Sequence, residues 1–251
     1  MTVFVSDKVG NPKRQAGPLK LLADLESKFI LPLLDQEQRT ADSNAFLGFN
    51  QLQRYTQKPI ATLNDINQAS GIETLASTNP DLIISIRFGK ILKAEAIKVP
   101  RFGVINLHSG LLPQYRGVMA TFWAMLNSER EIGTTLHTID DDGIDTGSVI
   151  TQSQMQVQTS KSYLWHVLNL YLSAPDLILQ YLQTLQSDKS VQTSAQDGEE
   201  GYYSFPDEKH LSQFSRKGLT LFDVDELTRF IETYYQLRLP AQQLLTIRKA
   251  Q

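Results

Sequence analysis

The chain has 251 residues, 41% hydrophobic and 20% charged, with a formal net charge of −3. That balance suits a globular α/β domain carrying an extension, and the absence of like-charge runs argues against a nucleic-acid footprint or an acidic tail. With no cysteine there is no disulfide, no thiolate metal site and no cysteine nucleophile. The opening MTVFVSDKVG lacks the long apolar stretch of a signal peptide, and no window approaches a membrane span. A soluble, cytoplasmic protein is therefore expected, with no membrane partner.

No internal repeat or low-complexity tract is present. Thr2 to Val5 is β-branched and aromatic and predicts a first strand, followed by a polar loop from Lys8 to Ala16. Gly17-Pro18 opens a helix whose apolar positions are Leu19, Leu22, Leu25 and Phe29. The run Phe29 to Leu34 predicts a second strand, Ala45 to Tyr55 a helix, Pro59 to Leu63 a third strand and Gly71 to Thr78 another helix. Asp81 to Ile86 (DLIISI) is continuously apolar, as for a parallel strand buried on both faces, and Gly103 to Leu107 (GVINL) is a second such run. Ser148 to Val157 alternates like a later strand. Leu164, Val167, Leu168 and Tyr171 return to helical spacing. Ser173-Ala174-Pro175 predicts a helix start, with Leu177, Ile178, Tyr181, Leu182 and Leu185 on the buried face. The polar stretch Ser187 to Gly201 reads as a linker. Beyond it come the aromatic cluster Tyr202, Tyr203 and Phe205 and a closing helix near Asp223 to Tyr235.

Short buried strands alternating with helices predict an α/β fold, a Rossmann-like open and mostly parallel sheet with a small C-terminal accessory region. The division expected is a catalytic domain over 1–186 and an accessory region over 187–251. In open α/β sheets the site lies beyond the carboxyl ends of the strands, which directs attention to the residues after Ile86 and Ile105.

Asn106 and His108 stand at alternate positions at the end of a buried strand, so both side chains leave one face. Downstream, Asp145 lies in an aspartate- and glycine-rich loop that leads into another strand. Taken singly, a histidine after a strand is more often structural, Asp-Asp-Asp-Gly is more often a solvated turn, and a strand-end asparagine usually caps locally. Together, a carboxamide, an imidazole and a carboxylate can hold a negative oxygen, move a proton and orient the group that moves it. Formyl transfer to an amine needs those three roles.

The stretch from about Asp81 to Ile150 resembles the formyltetrahydrofolate-dependent formyltransferases. The resemblance rests on Asn106-Leu107-His108, Leu111-Leu112-Pro113, Gly117, His137 and Asp145-Thr146-Gly147. That family includes glycinamide ribonucleotide formyltransferase, methionyl-tRNA formyltransferase and N-formyltransferases of nucleotide-linked amino sugars. The resemblance implies a catalytic trio of Asn106, His108 and Asp145. It implies 10-formyltetrahydrofolate as co-substrate, with no metal. It also implies one pterin wall at Arg87, Phe88, Gly89, Lys90, Ile91 and Leu92, and another at Ile139, Asp140, Asp141, Asp142, Gly143 and Ile144. A cis Leu112-Pro113 bond is typical of the family. One departure stands out: many members carry serine or a similar residue where this chain has Gly110.

Lys8, Lys13 and Arg14 follow the first strand, where family members often meet the acceptor, and can hold a phosphate or form an exposed basic loop. Arg116 can contact an acceptor phosphate or brace its turn. Tyr202, with Tyr203 and Phe205, can stack on a base or sugar, or form the seam that docks the extension. His166 and His210 show no partners in the sequence and read as structural. No His, Asp and Glu grouping has metal-ligand spacing. The reading that follows is an N-formyltransferase for a small acceptor, namely an amino sugar on a nucleotide, with a homodimer as an admissible assembly. The alternatives are methionyl-tRNA formyltransferase, disfavoured by charge, and a non-catalytic folate- or nucleotide-binding module on the same fold.

Overall fold

A computed structural model describes residues 1–7, 17–36, 45–187 and 190–240. Strand β1 (Phe4–Val5) pairs in parallel with β2 (Ala61–Thr62), joined through helices α1 (Gly17–Asp24), α2 (Leu31–Gln36) and α3 (Phe49–Leu52). Helix α4 (Ala69–Ala76) leads into β3 (Ile83–Ile86), and α5 (Ala94–Ile97) crosses over to β4 (Val104–His108). After β5 (Arg116–Gly117) come α6 (Ala120–Leu126), β6 (Glu131–Ile139) and β7 (Val149–Gln156). The central sheet has the order β3-β4-β6-β7. Its first pair is parallel, and β4/β6 and β6/β7 are antiparallel. The fold is thus mixed α/β and Rossmann-like, a central sheet with flanking helices.

The register sets the chemistry. Across β4 and β6, Asn106 lies directly opposite His137, and His108 opposite Thr135. Opposed residues on one face of such a pair bring their Cβ atoms within about 5.5 Å. Strand β6 was not expected from the sequence because Ile132 to His137 are all buried although half are polar, which hides the usual alternation. Helix α6 escaped for a related reason, since every residue from Ala120 to Leu126 is buried and no polar face marks its period. The expected strand at Phe29 to Leu34 is instead helical, a π-helical turn over Leu25–Ile30 running into α2. A short apolar run does not distinguish a strand from a buried helical segment. Helix Ala45 to Tyr55 shrinks to α3 and a 3₁₀ turn, Gln53–Tyr55. Strand β3 occupies a sheet edge, so Ile84 and Ile86 are 37% and 45% exposed rather than buried on both faces.

The second half builds outward from α7 (Tyr163–Leu170), where Ser162 caps the N-terminus by accepting from the Trp165 amide. Helix α8 (Ala174–Gln186) packs Leu177, Ile178, Tyr181, Leu182 and Leu185 onto Ile105, Leu107 and Leu136, as its period predicts. Ser173 does not cap it, because the chain enters α8 already helical and the hydroxyl bonds Leu170 instead. Strand β8 (Tyr202–Tyr203) pairs in parallel with β5. Helix α9 (Glu208–Arg216) lays Phe214 on Phe122, with ring centroids 4.4 Å apart. Helix α10 (Val224–Phe230) brings buried Glu226, whose carboxylate accepts from the Ser162 amide and hydroxyl. The aromatic cluster is a packing seam at Tyr203, which stacks on Tyr115 at 5.4 Å and Trp123 at 5.0 Å. Tyr202 remains 61% exposed.

His166 is fully buried and satisfied: Nδ1 donates to the Ser162 carbonyl and Nε2 accepts from the Gln158 amide. His210 lies 2.6 Å from the Asp207 carboxylate without hydrogen-bond alignment. No described helix is long and apolar enough to cross a membrane. Because Phe122 and Phe214 are both fully buried and stacked, Phe214→Ala is expected to cost about 3–5 kcal/mol. Urea unfolding of the whole chain would show it as a fall in midpoint without a change in slope.

Candidate active site

Strand β4 ends at the site, delivering Asn106 and His108 from one face, while β6 delivers His137 opposite Asn106. The loop between β6 and β7 then carries Asp145 back over all three. His108 Nδ1 lies 3.5 Å from Asp145 Oδ2, and His137 Nε2 lies 3.5 Å from Oδ1. Asn106 Nδ2 is 3.1 Å from His137 Nε2. The Gly117 amide donates to Asp145 Oδ2 at 2.8 Å. Asn106 and His108 on β4 and the distant Asp145 therefore form one cluster with His137.

The backbone acceptors decide how each imidazole is oriented. His108 Nε2 is 2.7 Å from the Tyr115 carbonyl, which can only accept, so this nitrogen carries the hydrogen. A neutral His108 then turns the lone pair of Nδ1 towards Asp145. His137 Nδ1 likewise donates to the Thr138 carbonyl at 2.7 Å, so a neutral ring accepts from Asn106 through Nε2. That acceptance also fixes the Asn106 carboxamide, whose second N–H is left for another acceptor.

Burial lowers the pKa of His108 below its ordinary value, against the opposing pull of the Asp145 carboxylate. Burial by itself would raise Asp145, but contact with His137, the charge of His108 and the Gly117 amide outweigh it and hold the carboxyl below its usual range. A carboxylate and a neutral imidazole are the resting forms at neutral pH. Asp145 itself has φ +55°, a left-handed conformation uncommon for a residue other than glycine. Leu112-Pro113 is cis.

Of the two segments expected as pterin walls, Phe88, Leu92 and Ile139 meet in one apolar cluster with Val104. Gly89 donates its amide to Ser6 Oγ at 2.8 Å, Lys90 is half-buried, and Ile91 is 51% exposed. Arg87 has φ +51° and pairs with Glu26 at 3.3 Å, a neighbour that holds its guanidinium still more firmly protonated. In the opposite loop the Asp140 carboxylate accepts from Thr138, Asp141 accepts from the Gly143 amide, and Asp142 is exposed. Ile144 is half-buried beside Asp145.

Arg116 and Tyr202 stand opposite each other across β5 and β8. The Arg116 guanidinium is held by Gln196 and Glu200. Lys8, Lys13 and Arg14 lie outside the described residues. The sequence reading left three parts of the site unassigned: His137, the Gly117 amide and Gln196. His137 was visible only as a member of a motif, and nothing in the sequence marks Gln196. A separate cavity of about 510 Å³ lies between α6 and α9, lined by Trp123, Tyr203, His210 and Arg216, and none of the trio lines it.

A sequence profile of the formyl transferase family matches residues 33–164, just over half of the chain and all of this cluster. The chain belongs to the formyl transferase family. It is 28% identical over 146 residues to the methionyl-tRNA formyltransferase of Kosmotoga olearia, covering 58% of this chain and 46% of that protein. The chain spans about half the length of the curated relatives it matches. Among solved structures it resembles a 4-N formyltransferase from Francisella tularensis, with a TM-score of 0.52, 18% identity, and coverage of 69% of this chain and 74% of that one. A sugar N-formyltransferase from Shewanella sp FDAARGOS_354 gives a TM-score of 0.51 at 17% identity, over 81% and 76% of the two chains. At such identities these likenesses speak for the fold.

The departure at Gly110 has a local cause in this formyl transferase. A Cβ there would lie 2.5 Å from Ala120 Cβ and 2.7 Å from His108 Nε2, where the imidazole meets Tyr115. Gly110→Ser is therefore expected to lose about 1–3 kcal/mol through overpacking and to displace His108. Thermal unfolding, read beside the His108 imidazole resonances, checks both effects.

Proposed function

We propose that the chain transfers a formyl group from 10-formyltetrahydrofolate to the amine of a small acceptor, an amino sugar carried on a nucleotide. The observation that carries this reading is the convergence of Asn106, His108 and Asp145, with His137, on one end of β4. When bound, 10-formyltetrahydrofolate supplies a formyl carbon on a nitrogen that can leave. The apolar cluster of Phe88, Leu92 and Ile139, drawn from both expected walls and half-buried at Phe88 and Ile139, suits a flat heterocycle.

In this reading the free N–H of Asn106 holds the negative oxygen that develops as the amine attacks. His108 receives the amine's proton at Nδ1, the nitrogen that the Tyr115 carbonyl leaves unprotonated in the neutral ring. Asp145, already ionised, balances the imidazolium so formed, and as the oxygen returns to a carbonyl the bond from the formyl carbon to the folate nitrogen breaks and that nitrogen takes up the proton held by His108. Residues 1–186 carry these groups, and 187–251 serve as the accessory region.

The acceptor is the finer part of the proposal. A net charge of −3 gives no general basic field for an RNA backbone. Exposed Tyr202 lies beside the Gly117 turn, with Lys8, Lys13 and Arg14 as candidates for a diphosphate, while Arg116, its fork held by Gln196 and Glu200, braces that turn. Methionyl-tRNA as acceptor is the second reading, favoured by the names of the curated relatives. Incubation with 10-formyltetrahydrofolate and a panel of amines, including aminated deoxysugars on thymidine and uridine diphosphates and charged initiator tRNA, separates the two by mass. Formylation of a nucleotide sugar is expected. Formylation of the tRNA alone would replace the first reading with the second.

On the accepted amine, Asn106→Ala, His108→Ala and Asp145→Ala are each expected to lower kcat about 100- to 1,000-fold with the fold intact. Double variants should be little worse than the worst single one, because the groups act as a unit. Near-normal turnover in any single variant would remove that residue from its role.

The pH dependence has a definite sign. His108 works in its neutral form, and its pKa lies below the ordinary 6.5, so kcat/KM should hold down to that pH and fall only below it. Removing the Asp145 charge takes away the influence that raises His108. The acid limb of Asp145→Asn should therefore move to still lower pH while its plateau drops. A wild-type midpoint above 6.5 would contradict burial as the dominant influence on His108.

A further inference from the structure

Asp145 is held in its left-handed conformation by more than the residues that touch its carboxylate. Gln196 reaches in from the stretch that the sequence suggested as a linker. Its Nε2 donates to the Asp145 carbonyl and to the Gly147 carbonyl, both at 2.8 Å. Its Oε1 accepts from Arg116 Nε at 3.0 Å and Arg116 Nη2 at 2.7 Å. Two carbonyls can only accept and a guanidinium can only donate, so the carboxamide has a single workable orientation. Both donors and both lone pairs are used. Arg116 is in turn forked onto Glu200, at 2.8 and 3.1 Å.

The surrounding backbone aligns Gln196. Ser194 exchanges amide hydrogen bonds with Val149 just beyond the Asp145 loop, at 2.8 and 2.9 Å. Further along, Arg116 donates its amide to the Gly201 carbonyl at 3.0 Å, and Val118 to that of Tyr203 at 2.8 Å. Between these two anchor points, one carboxamide joins the loop that carries Asp145 to the strand residue that precedes Gly117. Gly117 is the amide that binds Asp145 Oδ2. Both ends of the Asp145–Gly117 contact are thus held through Gln196. A left-handed non-glycine residue is unfavourable and persists only where its surroundings over-determine it.

We propose that Gln196 is a positioning residue for Asp145, setting the carboxylate against His108 and Gly117 through the 145–147 backbone and Arg116. The inference builds on the reading of Asp145 as part of the catalytic trio, but its first test needs no substrate. The titratable groups around Asp145 are His108 on β4, His137 on β6 and Tyr171 after α7. Among them His108 reports the distance of the carboxylate most directly, because Asp145 raises its pKa.

The experiment is an NMR titration of the four histidines in the ligand-free full chain, for wild type, Gln196→Ala and Gln196→Glu. In Gln196→Ala, which adds no charge, the His108 midpoint should fall as the carboxylate moves away, while His166, held by Ser162 and Gln158, keeps its wild-type titration. Gln196→Glu preserves size and the acceptor for Arg116 but has no donor for the two carbonyls. It therefore separates the loop contact from simple attachment of the C-terminal segment, and it stands in should the alanine variant unfold. On the accepted amine, kcat should drop by up to about 100-fold with KM for the folate little changed, the signature of a misplaced group. A wild-type His108 titration in folded Gln196→Ala, or unaltered kcat in Gln196→Glu, would overturn the proposal. If His108 responds but wild type formylates no amine, the positioning role stands and the catalytic reading falls.

Discussion

A carboxylate removed from water must be surrounded by donors or opposite charge, and the site is organised around meeting that demand for Asp145. Its Oδ2 accepts from the Gly117 amide, and its two oxygens face the imidazoles of His108 and His137, which answer its charge once protonated; the three come from different parts of the chain. Each of those neighbours is positioned by something further out: His108 by the Tyr115 carbonyl, His137 by the Thr138 carbonyl and Asn106, Gly117 by the strand that Tyr203 extends. The same low-dielectric surroundings that make an unpaired charge costly also make the paired one an effective partner for a transient imidazolium.

The antiparallel half of the sheet is what allows this. In a purely parallel sheet, neighbouring strands present their carboxyl ends at the same edge, and long crossovers separate them in sequence. Here β6 runs back against β4, so His137 lies beside Asn106 and the following loop returns Asp145 over His108. Glycine at 110 and 117 lets the chain between these strands pass close to His108 and Tyr203. A Cβ at Gly117 would collide with the Tyr203 carbonyl, and φ there is +95°.

The C-terminal segment supplies the rest of the support. Phe214 completes the layer over α6, Glu226 accepts from the cap of α7, and the stretch through Ser194, Gln196 and Gly201 is stitched to the edges of the Asp145 loop and the Gly117 turn. Composition made that stretch look like a linker because it is short of apolar residues. Its attachment is instead by hydrogen bonds, which leave no periodic trace in a sequence.

The sequence by itself was enough to determine the α/β class, the strands Asp81 to Ile86 and Gly103 to Leu107, the buried face of α8 and the placement of Asn106 and His108 on one side of a strand end. Those features are local or follow a short period: alternating side chains place Asn106 and His108 on one face, and a helical repeat places Leu177, Tyr181 and Leu185 on another. Tertiary structure decided the helical state of Phe29 to Leu34, the existence of α6 and β6, the pairing of His137 with Asn106, and the contact of Gln196 with Asp145. For Phe29 to Leu34 the reason is that a short apolar run fits a strand and a helical segment alike; for the others it is burial and distance along the chain. Elements buried on every side lose the polar face that reveals their period, and a contact between residues distant in sequence depends on register and loop path, which neighbouring residues do not encode.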